Sequence, residues 1–358
     1  MNRSWTDQHS KIQNQKFKKS RRLIESAPVF DVCTLRGRVL RPARFSAPLA
    51  GFTHSAFRRL VAEFGGCGAV WTEMLAAPQI LAEDFDRSPW LKRHSTEPLT
   101  VYQLMVRDGD PLDRILGRLE AAGVEALDLN LACDALSVRA CEAGSALFEK
   151  LDALASVLEQ ARRHWPGLLT VKIRLGSRRP DWESRLRERL MLIEAQGVDA
   201  VIVHPRFFED KFRRRARVEL LSWIRSITAL PLIANGDLAG PEQVGIRAGH
   251  LEPACAIMIG RMAIARPWLF AAWVQPVPID AGAVWHRLLG YLLEDFPTAT
   301  ALRRIKMFTK YYAANFAFGH RFRVDLQSTQ SIQEARAVAT DFFARRPALL
   351  THPLVAGL

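Results

Sequence analysis

The sequence predicts an α/β protein, a (β/α)8 TIM barrel followed by a small C-terminal helical domain. Three observations carry this. Eight short apolar runs recur along residues 43–261. Amphipathic helical stretches fill the intervals between them, as at 111–123 and 184–197. Beyond residue 284 the pattern turns wholly helical. The runs occupy 43–50, 69–74, 98–105, 125–132, 168–175, 198–205, 230–237 and 254–261. Their spacing leaves room for one crossover helix each, and parallel strands need such crossovers. A doubly wound sheet would need a Gly-rich phosphate fingerprint after its first strand. No G-x-G-x-x-G occurs in the 358 residues.

The first 36 residues read as a basic, flexible tail, 37–275 as the barrel and 284–350 as the helical domain. A Pro-containing linker, "AAWVQPVPIDAGA", joins the last two. Gly197 ends the 184–197 helix, where a left-handed C-cap suits glycine.

Composition narrows the class. Hydrophobic residues make up 49% and charged residues 24%, as in a packed globular protein. No uncharged apolar run is long enough for a membrane span, and the N-terminus has no apolar signal core, so a cytoplasmic protein is expected. The five cysteines are irregularly spaced without a CxxC pair. That supports neither a disulfide framework nor a metal site. Net charge is +13. Residues 1–30 hold seven Lys/Arg against two acids, and 205–217, "PRFFEDKFRRRAR", hold six against two. Either run alone reads as a solvated basic face. Two together point to a polyanionic partner, most commonly nucleic acid.

In a parallel barrel the active site is built at the C-terminal strand ends. Those ends carry Pro48 and Thr53, Glu73, Gln103, Asn130 with Cys133, Lys172 with Arg174, His204 with Arg206, Asn235 with Asp237, and Gly260 with Arg261. Polar groups at nearly every strand end predict a ligand-binding mouth. Glycines at strands seven and eight, with Arg261, suit a phosphate. Gln103 offers both donor and acceptor to the pyrimidine edge of a flavin, and Lys172 a charge to its polar edge. Alternatively, Lys172 closes the barrel against a carboxylate and His204 is a satisfied core histidine.

Taken together, "APLAGFTHSAFRRL", "TEM", "YQLM", "DLNLACDALSVRACEAGSALF", "VKIRLG", "VHPR", "ANGD" and "MIGRMAIARPWLF" resemble the tRNA-dihydrouridine synthase family over about 43–270. The tail "ALRRIKMFTKYYAANFAFGHRFRV" resembles the helical domain of its C-type branch. The resemblance implies FMN as cofactor, NADPH as reductant and tRNA as substrate, with hydride passing to C6 of a uracil. It implies Cys133 as the proton donor to C5. A thiol with a pKa of about 8.5 is still protonated at neutral pH and can act as an acid. By matching position, Ala47, Pro48, Leu49, Gln103, Lys172, His204, Asn235, Gly236, Asp237, Gly260 and Arg261 would hold FMN. Asn130 would face the base, with Arg174, Arg206, Arg303, Arg304 and Lys306 on the RNA. A monomer is expected. Tyr311, Tyr312, Phe316 and Phe318 fall at helical spacing and read as core.

The departures gather at the catalytic stretch. The family pattern is Gly-Cys-Pro, then a small residue, then one or two lysines. Here it is Ala132-Cys133-Asp134, then Ala135, Leu136 and Ser137. Loss of proline frees the backbone. A carboxylate beside the thiol would raise its pKa if it pointed inward. "VHPR" stands for His-Gly-Arg, and His54 stands where an acid is common. Besides a tRNA dihydrouridine synthase, the residues admit a flavoprotein of the same fold with altered chemistry or another RNA substrate, and a catalytically impaired RNA-binding paralogue.

Overall fold

The computed structural model describes residues 30–353 and 355. Most of the stretch read as a basic tail therefore lies outside the described residues. Its end does not. Cys33–Leu35 (β1) and Arg38–Leu40 (β2) form an antiparallel hairpin.

Eight parallel strands close the barrel. They are Arg44–Ser46 (β3), Ala69–Trp71 (β4), Leu99–Met105 (β6), Ala126–Asn130 (β7), Leu168–Ile173 (β8), Ala200–Val203 (β9), Leu232–Asn235 (β10) and Ala256–Ile259 (β11). Each falls within one of the eight apolar runs. The order β4-β3-β11-β10-β9-β8-β7-β6 is closed by a β4–β6 pairing. A two-residue strand, Leu75–Ala76 (β5), adds to β6 outside this ring. The strands are buried on both faces, since helices cover the outside and side chains fill the inside.

Register decides which side chains meet inside. Gln103 pairs with Asp128, Asp128 with Thr170, and Asn130 with Lys172. Because the side-chain period is 2, these residues form successive inward rows near the C-terminal ends of the strands.

The hairpin covers the opposite end. Arg36 bonds Asp199 and the Pro166 carbonyl, and Arg38 bonds Glu125. The acceptors lie one or two residues before strands β7, β8 and β9.

Helices Ala281–Asp295, Thr298–Tyr312, Gly319–Ser328 and Ile332–Ala344 pack beside the barrel. The second comes so close to the β3 loop that a Cβ on Gly51, at φ +83°, would lie 2.6 Å from Met307 Cε. Tyr312 and Phe316 join the helical core as expected: Tyr312 stacks on Phe308, and Phe316 meets Tyr312 and Phe343 edge-on. Phe318 does not; it is 79% exposed. Among the described residues no helix is long and apolar enough to cross a membrane.

Candidate active site

A cavity of about 690 Å³ opens at the C-terminal ends of the strands. That is within the size range of small-molecule and cofactor sites. Every stave contributes to it: Ala47, Pro48 and Leu49 after β3, Met74 after β4, Gln103 on β6, Asn130 and Ala132 to Leu136 from β7 onward, Lys172 and Arg174 from β8. His204, Lys211 and Phe212 follow β9, Asn235, Gly236 and Asp237 come from β10, and Gly260 and Arg261 from β11. Tyr311 enters from the helical region. The structure thus brings the sequence-predicted cofactor set, Asn130, Cys133 and Arg174 into one cavity. Tyr311, expected in the core, lines the cavity with its ring edge-on to Phe52.

The floor is a hydrogen-bonded chain. Thr170 Oγ1 donates to Asp128 Oδ1 at 2.8 Å, and Gln103 Nε2 donates to Asp128 Oδ2 at 2.7 Å. Asn130 Nδ2 donates to Gln103 Oε1 at 2.9 Å. Asn130 Oδ1 accepts the N–H groups of Ala132 and Cys133 at 3.1 and 2.9 Å. One N–H of Gln103 and one of Asn130 remain for a ligand. Asp128 was missed in the sequence. Its signal is a carboxylate two positions before Asn130, on the inward face of a fully buried strand.

Burial pushes the Asp128 carboxyl from the usual 3.8 up to about 6, against hydrogen bonds from Gln103 and Thr170 and the charge of Lys172. Between those values the native protein holds a proton that the unfolded chain has released. The ionised group therefore costs stability above about pH 6, and the cost disappears as pH falls toward 3.8. We expect the unfolding free energy of the native sequence, relative to Asp128→Asn, to rise by about 2–3 kcal/mol between pH 7 and pH 4. Urea denaturation at the two pH values checks this.

The second half of the wall is cationic. Lys172, Arg174, Arg206 and Arg261 surround His204. Burial, with the Arg174 charge adding to it, lowers Lys172 to about 8, so it is still mostly charged at neutral pH. Burial first, then these cations, holds His204 well below 6.5, so its imidazole is neutral. Arg206 Nη1 lies 2.6 Å from His204 Nε2. A guanidinium only donates, so Nε2 accepts and the ring proton sits on Nδ1.

Asp237 organises the arginines. Its carboxylate takes both 2.6 Å bonds from Arg206 Nη2, one at 2.9 Å from Arg261 Nη2, and the Ala216 N–H at 2.8 Å. Asp237 is thus occupied by protein donors. Arg206 is also committed. It is 1% exposed and bonds Asp237, His204 and the Arg214 carbonyl. That corrects its expected place on RNA phosphates. Gly236, at φ +121°, sits where a Cβ would come within 2.7 Å of His204 Cδ2. Only glycine fits there.

Arg174 differs from its neighbours. It is 93% buried (7% exposed), yet its Nε and Nη1 have no hydrogen-bond partner. The ring of Phe212 lies 5.2–5.9 Å from the guanidinium carbons of Arg261, Arg174 and Arg206. The Phe212 loop is held by Asp210, which binds Arg178, Arg217 and the Phe207 N–H. The following Arg213, Arg214 and Arg215 are exposed.

The departures near Cys133 have a local explanation. Asp134 does not point at the thiol. It accepts from Arg139 Nη1 and Ser145 Oγ, each at 3.1 Å. His54 caps helix Ser55–Phe64 through Nδ1, an acceptor role that an acid would otherwise fill.

Two further cations expected on RNA turn inward. Arg304 Nη1 bonds the Gly51 carbonyl and Glu73 Oε1, with its guanidinium carbon 4.3 Å from the Phe296 ring. Glu73, buried at the barrel–helix contact, needs that cation, so neither it nor Arg304 faces the cavity. Lys306 Nζ is bound by the Gln327 and Thr329 carbonyls. Arg303 alone of the three is exposed.

Comparison with known proteins bears on this arrangement. Residues 45–346 match the dihydrouridine synthase (Dus) family. A tRNA-dihydrouridine synthase B from Proteus vulgaris is 27% identical over 323 residues, covering 86% of this chain and 98% of the relative. One from Escherichia coli K12 is 31% identical over 237 residues, covering 64% and 71%. Both carry the B designation, whereas the tail was likened to the C-type branch. The structure of histamine dehydrogenase from Rhizobium sp. 4-9 superposes with a TM-score of 0.52 at 14% identity, over 75% of this chain and 51% of that one; it speaks to the fold alone. With a matched span running from the first barrel strand to the last helix, the chain belongs to the dihydrouridine synthase family and is an oxidoreductase.

Proposed function

We propose that the protein is an FMN-dependent enzyme that reduces a uridine in tRNA to 5,6-dihydrouridine, with NADPH as reductant. The observation that carries this is one cavity lined by both Cys133 and a group of buried cations, with the Arg174 Nε and Nη1 donors unpaired. Four cations around one neutral histidine, countered locally by Asp237, call for an anionic ligand. The residues present therefore fit FMN, and membership of the family supports it. Lys172, His204, Asn235, Gly236, Gly260 and Arg261 would hold it, with Ala47, Pro48, Leu49 and Gln103 along the ring.

Bound FMN would supply hydride to C6 of the target uracil. The protein's own groups do the rest. Cys133 Sγ donates its proton to C5. Asn130 offers its remaining N–H to the base. Arg174 offers Nε and Nη1 to a substrate oxygen. The base must leave the RNA stack to reach this depth, and exposed Arg213, Arg214, Arg215 and Arg303 lie where phosphates can be gripped from outside.

A second reading, another RNA as substrate, is favoured by the rim. Leu136, 86% exposed, occupies the stretch where the family has lysine.

Natively purified protein should show the visible absorption of oxidised flavin and release FMN on denaturation. Protein with no flavin, and none taken up on adding FMN, would contradict the proposal. Arg174→Lys keeps the charge but loses the fork. It should retain flavin while kcat/KM for tRNA falls roughly 10–150-fold, the loss of one charged hydrogen bond of about 1.5–3 kcal/mol.

A further inference from the structure

At the end of the barrel away from the cavity, Cys33 Sγ lies 2.9 Å from Cys255 Sγ. The two residues are 222 positions apart in sequence. Cys33 belongs to β1 of the hairpin, and Cys255 immediately precedes β11. Two sulfurs this close are nearer than non-bonded sulfurs ordinarily pack, and a disulfide needs them at about 2.05 Å. We propose that Cys33 and Cys255 form a dithiol modification site that takes a low-molecular-weight disulfide as oxidant and locks the hairpin to the last barrel strand.

The two thiols are unequal in ways that assign their roles. Cys33 is 2% exposed, while Cys255 is half-buried. The Cys33 thiol donates to Cys255, and the Cys255 thiol donates to the Leu232 carbonyl at 3.4 Å. As the more accessible sulfur Cys255 is the attacking one, and Cys33 behind it is the resolving one. The Cys255 thiolate attacks one sulfur of the small disulfide, forms a mixed disulfide and expels one small thiolate, which takes up the proton released by Cys255. Cys33 then loses its proton and attacks the Cys255 sulfur, expelling the second thiolate, which takes that proton. Two protein thiols are oxidised to one disulfide, and one small disulfide is reduced to two thiols.

The other cysteines offer no such pairing. Cys67 is buried, donates to the Ala69 carbonyl and is pushed up to about 12 by burial. Cys133 lines the cavity, and Cys141 is exposed on the surface. In a reducing compartment the pair stays as thiols, so the link forms under oxidising load.

The test uses the full chain incubated with oxidised glutathione, alkylated, and digested without reduction. Mass spectrometry should find a peptide joining Cys33 to Cys255, two hydrogens lighter than its thiol parts, that dithiothreitol reverses. Cys33→Ser should stop at glutathione attached to Cys255. Cys255→Ser should leave Cys33 free of adduct. The proposal is overturned if both wild-type thiols still alkylate on unfolding after the oxidant treatment, or if glutathione is found on Cys33 in Cys255→Ser.

Discussion

Cys133→Ala is expected to bind flavin like the native enzyme and to lose dihydrouridine formation by about 10²–10⁴-fold, the usual contribution of a positioned acid. The thiol sits in a loop whose backbone is fixed on both sides. Its N–H donates to Asn130 Oδ1 at 2.9 Å, and its carbonyl accepts the Ser145 N–H at 2.9 Å. These bonds do what the missing proline would otherwise do. The Asp134 carboxylate accepts from Arg139 and Ser145 and not from the thiol. Alanine removes one atom from this loop and none of its hydrogen bonds. Flavin content by absorbance and dihydrouridine by nucleoside mass spectrometry check the two halves separately. Undiminished product from Cys133→Ala would remove the thiol from the mechanism.

Asp237→Asn should cost about 3–5 kcal/mol of stability and most of the bound flavin. Both Arg206 and Arg261 lean on this carboxylate, and Arg206 is 1% exposed. Breaking a buried pair by removing one partner leaves a charge without compensation, which is the expensive case. Asparagine is the right replacement because Asp237 has φ +50°, a conformation that asparagine tolerates better than alanine. Arg261 would lose this carboxylate partner, and Arg206 would keep the His204 ring and a carbonyl. Chemical denaturation and the ratio of flavin to protein measure the two effects. A loss under about 1 kcal/mol with full flavin content would show that the cluster does not depend on the carboxylate.

The barrel was legible because each stave is a short apolar run whose neighbours are helical, a pattern set locally by burial on both faces. The strand-end residues were legible for the same reason, since the fold tells which end carries the chemistry. What a cation does once there was not legible. Arg206, Arg304 and Lys306 look the same in sequence as an RNA-binding side chain, and only their tertiary partners, Asp237, Glu73 and the Gln327 and Thr329 carbonyls, turn them inward. The β1–β2 hairpin was hidden because three-residue strands give too short an alternation to stand out beside a basic segment. Asp128 was passed over as one acid in an apolar run, although its row in the barrel makes it the support for Gln103. The contact of Phe212 with three arginines depends on the Asp210-held loop and left no periodic trace.

In the proposed reaction one cavity joins a reduced flavin to a uracil and to the Cys133 proton. The most direct measurement is an anaerobic single turnover, in which enzyme reduced with NADPH is mixed with unmodified tRNA. Flavin absorbance should return only when tRNA is added, with one dihydrouridine formed per flavin reoxidised. Flavin that stays reduced in the presence of tRNA, with every uridine unchanged, would contradict it.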